Sequence, residues 1–175
     1  MSTVQYDVEV IQQEQNPICW IASCAMVKGW GTQSSVGIGE FTEGFNPSNS
    51  CISNLASNWK QCTDLMDQWG FEVMAVSDLT AGSLSENDLA ALLSEKGPMV
   101  LLHLCKNFPY GSQWGDSSEM DGAHAVVITG VDSESTQLFF NNPWGDKDQN
   151  ADLKVLLNKI NGDSAMGKTL GFWRQ

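Results

Sequence analysis

The stretch from Ser85 to Met99 constrains the fold most. Ser85 stands before Glu86-Asn87-Asp88-Leu89-Ala90-Ala91-Leu92-Leu93-Ser94-Glu95-Lys96, a run with a capping residue at its head, acids in its first turn and a lysine in its last. Gly97-Pro98 must then stop the helix, because proline lacks an N–H and pushes the preceding residue out of the α region. Extended structure is expected directly afterwards. The apolar runs Met99 to Leu104, Ala123 to Val131 and Leu138 to Asn141 have the length of buried strands, and a turn near Asp132-Ser133-Glu134-Ser135 separates the last two. Together they predict an antiparallel meander.

The first half of the chain reads as helical. Asn16-Pro17-Ile18-Cys19 opens a helix-compatible run from Trp20 to Val27, with Asn16 able to cap it and Pro17 able to occupy its first turn. Gly29 to Ser50 is rich in Gly, Ser, Thr and Asn and reads as a loop excursion. A second helical pattern runs from about Cys51 to Trp69, with Gly70 as its stop. A short helix around Ala151 to Ile160 and a strand from Lys168 to Trp173 complete the chain. The expectation is one α+β domain over residues 1–175, a helical N-terminal part packed on an antiparallel sheet, with a cleft where the two meet.

Charge and cysteine usage exclude several function classes. Nine Lys and Arg against 21 Asp and Glu give a net charge of −12, which repels nucleic acid and anionic lipid, so neither is expected as a partner. No apolar run approaches the roughly 20 residues of a membrane-spanning helix. The first ten residues lack the apolar centre of a signal peptide. A soluble protein is expected, cytoplasmic or delivered into a target cell. Cysteines 19, 24, 51, 62 and 105 form no CxxC pair and leave one over, which argues against a disulfide framework. His103 and Cys105 have no second cluster of ligands nearby, so no metal or other cofactor is expected.

Cys24, Cys51, Cys62 and Cys105 read as small core hydrophobes. Cys19 differs. It falls at a helix N-terminus, where unpaired N–H groups and the helix dipole favour a thiolate. Gln13 precedes it, Trp20 follows it, and His124 lies downstream in the strand-like Gly122-Ala123-His124-Ala125-Val126. Asn142-Pro143-Trp144-Gly145 comes next.

In Gln13…Cys19-Trp20, Ala123-His124-Ala125-Val126 and Asn142-Pro143-Trp144-Gly145 the chain resembles the papain-like cysteine peptidases over about residues 11–146. It is most similar to their compact bacterial branch, which includes the bacteriocin-leader-cleaving and plant-effector-cleaving enzymes. The resemblance implies that Cys19 is the nucleophile, His124 its base and Asn142 the residue that orients the histidine. Gln13 and the Cys19 N–H would form the oxyanion hole, and Trp144 would shield the His124–Asn142 bond. Asn141 competes with Asn142 for its role, and Gln12 and Gln15 compete with Gln13. The interval from Cys19 to His124 falls short of the roughly 130 residues of lysosomal relatives, which implies a trimmed domain.

The expected activity is cleavage of a protein or peptide substrate through a thioester acyl-enzyme, in a bacterial effector or toxin held in check by a cognate inhibitor or immunity protein. Two other readings use the same residues differently. One is an amidase, deamidase or transglutaminase with the same triad; the other is a catalytically silent acidic binding module. The loops at 29–50 and 106–121, the second carrying Phe108, Tyr110 and Trp114, are candidates for substrate pockets.

Overall fold

Every residue from Cys19 to Val27 is buried in helix α1 (Cys19–Thr32). A helix apolar on all sides has to be enclosed. In the computed structural model, which describes residues 3–13, 18–42, 64–75, 83–103, 124–161 and 169–175, the enclosure is provided by a seven-stranded sheet. Its strands are β1 (Thr3–Gln5), β2 (Phe71–Ala75), β3 (Met99–His103), β4 (His124–Asp132), β5 (Gln137–Asn142), β6 (Asp146–Asp152) and β7 (Thr169–Arg174). They run in the order β2-β7-β3-β4-β5-β6, and β1 also pairs with β4. Every pairing is antiparallel. Further helices among the described residues are α2 (Gly39–Thr42), α3 (Glu86–Lys96) and α4 (Leu153–Ile160), besides the helical residues 64–68.

The sheet is covered on both faces, which explains why β3 and β4 are continuously apolar rather than alternating. Val100, Leu102, Ala125, Val127 and Phe172 pack with α1. Their neighbours Met99, Leu101, Val126 and Ile128 point the other way, as period two requires. They meet Leu93 of α3 and Leu156 of α4. The expected meander is present as β3-β4-β5, extended by β6. The mixed helical and antiparallel architecture agrees with the expected α+β class.

Helix α3 begins and ends where its sequence dictates. The Ser85 hydroxyl accepts from the Asp88 N–H at 3.2 Å, and the Asp88 carboxylate accepts from the Ser85 N–H at 2.9 Å. This reciprocal capping box satisfies two donors that a bare helix end would leave exposed. At the other end the Gly97 N–H donates to the Leu93 carbonyl at 2.9 Å.

Other expectations need correction. The N-cap of α1 is Ile18, with no side-chain cap; Asn16 and Pro17 lie outside the described residues. The stretch expected to be loop from Gly29 starts as helix, because α1 continues to Thr32. Tertiary packing outweighs the two glycines there: Trp30 meets Tyr6 edge-to-face at 5.1 Å. Of the helix expected from Cys51 to Trp69, residues 64–68 are helical and 51–63 lie outside the described residues, as do Cys105 and the loop at 106–121. Among the described residues no helix is long and apolar enough to cross a membrane.

The strand that carries His124 is anchored at its far end by β1. Thr3, Val4 and Gln5 pair with Asp132, Val131 and Gly130, beside a bulge between Ile128 and Gly130. A Cβ on Gly130 would collide with the Val4 carbonyl and lie 2.8 Å from Gln5 Cα. Gly130→Ala should therefore push β1 off the sheet at a cost of about 1–3 kcal/mol, lowering Tm by about 3–10 °C. Thermal unfolding followed by circular dichroism checks this, and an unchanged Tm would show that β1 contributes nothing to the fold.

Candidate active site

Cys19 is the first residue of α1, and no side chain caps the helix there. The N-cap residue itself, Ile18, has no side-chain oxygen to offer the first-turn N–H groups. Antiparallel pairing of β3 with β4 starts at His103–His124 and Leu102–Ala125, which sets the first residues of β4 beside this helix end. Ala125 packs in one core cluster with Cys19, and the backbone N–H groups of Ala125, Trp20 and Cys19 itself favour the charged form of the sulfur. The nucleophile candidate therefore sits against the residue that follows the histidine candidate.

His124 is buried, and its Nε2 lies 2.9 Å from Asn142 Oδ1. Two contacts fix which way the Asn142 amide faces: the Trp144 N–H donates to Oδ1 at 3.3 Å, and Nδ2 donates to Asp146 Oδ2 at 3.3 Å. With Oδ1 an acceptor, His124 Nε2 must carry the proton and donate it. That leaves Nδ1 as the basic nitrogen of the neutral ring. The Trp144 ring lies over the imidazole with centroids 4.6 Å apart, while 49% of Trp144 stays exposed. It separates the His124–Asn142 bond from solvent on that side.

The structure separates the two asparagines. Asn142 meets His124, whereas Asn141 donates to the Val8 carbonyl at 2.6 Å and accepts from the Asp148 N–H at 2.8 Å. Gln13 comes to the same turn, its N–H donating to the Pro143 carbonyl at 2.7 Å. Gln12 is exposed and packs beside Gly145; Gln15 lies outside the described residues. Gly145 has φ +107, a conformation few side chains tolerate, and its N–H closes the turn on the Asn142 carbonyl at 3.0 Å. Trp20 stacks on Trp69 at 5.5 Å in the core, so packing accounts for it. The backbone of His103 belongs to β3, opposite His124.

Sequence reasoning missed two contributors. The Ala125 N–H is a backbone group, and no residue type announces it. Asp146, which anchors the Asn142 amide, had a readable signal: an acid four residues after Asn142, across a Pro-Trp-Gly turn. A cavity of about 650 Å³ beside Val10, Met26 and Trp30 includes neither Cys19 nor His124, so it is not part of this constellation.

Burial decides the resting charges. It pushes the Cys19 thiol up, and the N–H groups of Ala125, Trp20 and Cys19 oppose it without cancelling it. The expected preference for a standing thiolate at the helix end is therefore outweighed by desolvation. Burial likewise pushes His124 down, while the Asn142 bond pulls it back up. Burial thus favours the neutral form of each group, thiol and imidazole alike. Cys24 is fully buried and its thiol is pushed far up by desolvation and then by Cys19. It stays an inert thiol.

Comparison with known proteins gives the family and the fold. The family model described as papain-like cysteine protease AvrRpt2 matches residues 1–161. The chain belongs to this family. It is accordingly a papain-like cysteine peptidase, a hydrolase. No curated protein sequence matches it. A solved structure described as a double glycine motif protease from an AMS/PCAT transporter, in complex with the leader peptide, is similar over 100% of this chain and 99% of its own. The TM-score is 0.51 at 17% identity, a likeness of fold.

The opposing influences on His124 make a titration prediction. In Cys19→Ala, which removes the coupled thiol, His124 should titrate below the ordinary value of about 6.5. Adding Asn142→Ala should lower it further by removing the one contact that raises it. Adding Asn142→Asp should raise it instead, because a carboxylate favours imidazolium. Imidazole proton shifts against pH report all three, and a value insensitive to residue 142 would contradict the bond.

Proposed function

We propose that this peptidase cleaves a protein or peptide substrate with Cys19 as nucleophile, His124 as base, Asn142 as orienting residue, and the Gln13 side chain and Cys19 N–H as the oxyanion hole. One observation carries the reading: the buried His124–Asn142 hydrogen bond at 2.9 Å lies at the start of the strand whose next residue, Ala125, packs in the same core cluster as Cys19.

The chemistry follows from those positions. The Cys19 sulfur attacks the scissile carbonyl carbon as its proton passes to His124 Nδ1. That transfer leaves the net charge of the pair unchanged, so the site need not hold an isolated charge. Negative charge develops on the carbonyl oxygen, where fixed donors are worth up to about 10²–10³ in rate each. His124 returns the proton to the leaving amine and the C–N bond breaks, leaving a thioester on Cys19. Water then attacks that thioester, losing a proton to His124; the C–S bond breaks to release the acid, and His124 returns the proton to the Cys19 sulfur.

The family match supports extending this to an effector or toxin that cuts a protein in a recipient cell. A cognate inhibitor or immunity protein over the cleft would restrain it in the producing cell. If expressing the active chain in a recipient cytoplasm did no more harm than expressing Cys19→Ala, that extension would fail.

Mass spectrometry of protein mixtures incubated with the enzyme tests the reaction class. New chain termini are expected with the native chain and none with Cys19→Ala. Asn142→Ala should retain cleavage but lose about 10- to 100-fold in kcat/KM, the worth of a charge-assisted hydrogen bond of roughly 1.5–3 kcal/mol. Side-chain mass changes of about one dalton with no new termini would replace the peptidase reading by deamidation of glutamine.

A further inference from the structure

The extended segment 6–13 links β1 to Cys19 and carries Gln13, yet it belongs to no helix or strand beyond Gln5. Something else must hold it. Its backbone is tied at three places: the Tyr6 N–H donates to the Thr129 carbonyl at 2.8 Å, the Val8 carbonyl accepts from Asn141 Nδ2 at 2.6 Å, and the Gln13 N–H donates to the Pro143 carbonyl at 2.7 Å. The last two ties come from Asn141 and Pro143, the residues on either side of Asn142. The segment is thereby fastened to the β5–β6 hairpin at both flanks of the residue that orients His124.

Asn141 is the stronger of these two fastenings. It is fully buried, as is Val8, and both ends of its amide are used, because Oδ1 accepts from the Asp148 N–H at 2.8 Å. Asp148 sits at φ +53, and that backbone bond fixes the amide against rotation. Lys147 also bridges the hairpin to the segment, reaching Asp7 at 2.9 Å and Glu9 at 3.4 Å. Those carboxylates are 84% and 87% exposed, and pairs so open to water and salt contribute little. The buried amide sets the register.

We infer that Asn141 is a positioning residue: by clipping the Val8 carbonyl to β5 it holds Gln13 at a fixed place relative to the His124–Asn142 pair. This rests on the reading of Gln13 as an oxyanion donor. A donor a fraction of an ångström to an ångström out of place loses much of its effect on the transition state. The side-chain bonds of Asn141 go to Val8 and Asp148, not to the thiol or the imidazole, so on this inference its effect on the rate runs through Gln13.

The experiment is a double-mutant cycle on acyl-enzyme formation, using the p-nitrophenyl ester of N-acetylglycylglycine as probe and nitrophenolate absorbance as readout. Gln13→Ala should slow acylation by about tenfold or more. Asn141→Ala should slow it by about tenfold when Gln13 is present and by less than about twofold further in Gln13→Ala, since residues acting as a unit are not additive. The acid limb of the acylation profile, set by His124, should stay in place. Asn141→Asp keeps the acceptor for Asp148 and nearly the same volume while losing the donor to Val8, so it decides the matter should the alanine variant fail to fold. Losses that multiply in both backgrounds, absence of any loss, or a shifted acid limb would each overturn the inference while leaving Gln13 in its role. No effect of Gln13→Ala would instead remove the oxyanion reading and the inference with it.

Discussion

The contact between the N-terminus of α1 and the first residues of β4 is the interaction on which the rest depends. It is enforced by burial, not by any single polar bond. A helix apolar on all sides from Cys19 to Val27 has no stable place except against the apolar face made by Val100, Leu102, Ala125, Val127 and Phe172. Once it lies there, its first residue falls beside Ala125, and His124 precedes Ala125 on the strand. The same packing that stabilises the core sets the start of α1 beside the start of β4, so the proposed nucleophile and base both lie at buried positions.

That solution has an electrostatic consequence. Burial raises the thiol and lowers the imidazole, which favours the neutral form of each. Backbone N–H groups at the helix end and at Ala125 partly offset the desolvation of sulfur, and Asn142 partly offsets that of His124. The site is poised for transfer of one proton within the pair, a step that changes its dipole but not its net charge. The Pro-Trp-Gly turn after Asn142 serves the same end. It fixes the amide through Trp144 and Asp146 and covers the imidazole with an indole ring.

Much of the fold was legible because its signals were local and strong. Ser85 with Asp88, and Gly97-Pro98, bounded α3 without reference to the rest of the chain. The apolar runs at 99–104 and 123–131 could only be buried strands. The strands β1, β2 and β6 were not legible, because Thr3-Val4-Gln5 and Phe71 to Ala75 are short and Asp146 to Asp152 is polar but for Ala151; their pairing is decided by β4, β7 and β5 rather than by their own patterns. The site divided along the same line. Cys19 and His124 stood out through their neighbours, but the choice between Asn141 and Asn142 depends on side-chain direction beside an irregularity in the β5–β6 ladder between Phe140 and Asn142. Residue types alone cannot supply that direction. The start of α1 at Ile18 and its run past Gly29 are likewise settled by tertiary packing.

The most direct test of the Cys19–His124 pair is the pH dependence of iodoacetamide alkylation, read by intact mass with His124→Ala beside the native chain. The account predicts fast labelling at Cys19, located by peptide mapping, and none at Cys24, which is sealed in the core. Its rate should persist well below the free-thiol value of about 8.5 and fall only as His124 protonates, below about 6.5. In His124→Ala the remaining reaction should retreat to alkaline pH, following a thiol raised by burial. Labelling no faster than a simple thiol, with the same pH profile in both proteins, would contradict the pair and with it the peptidase mechanism.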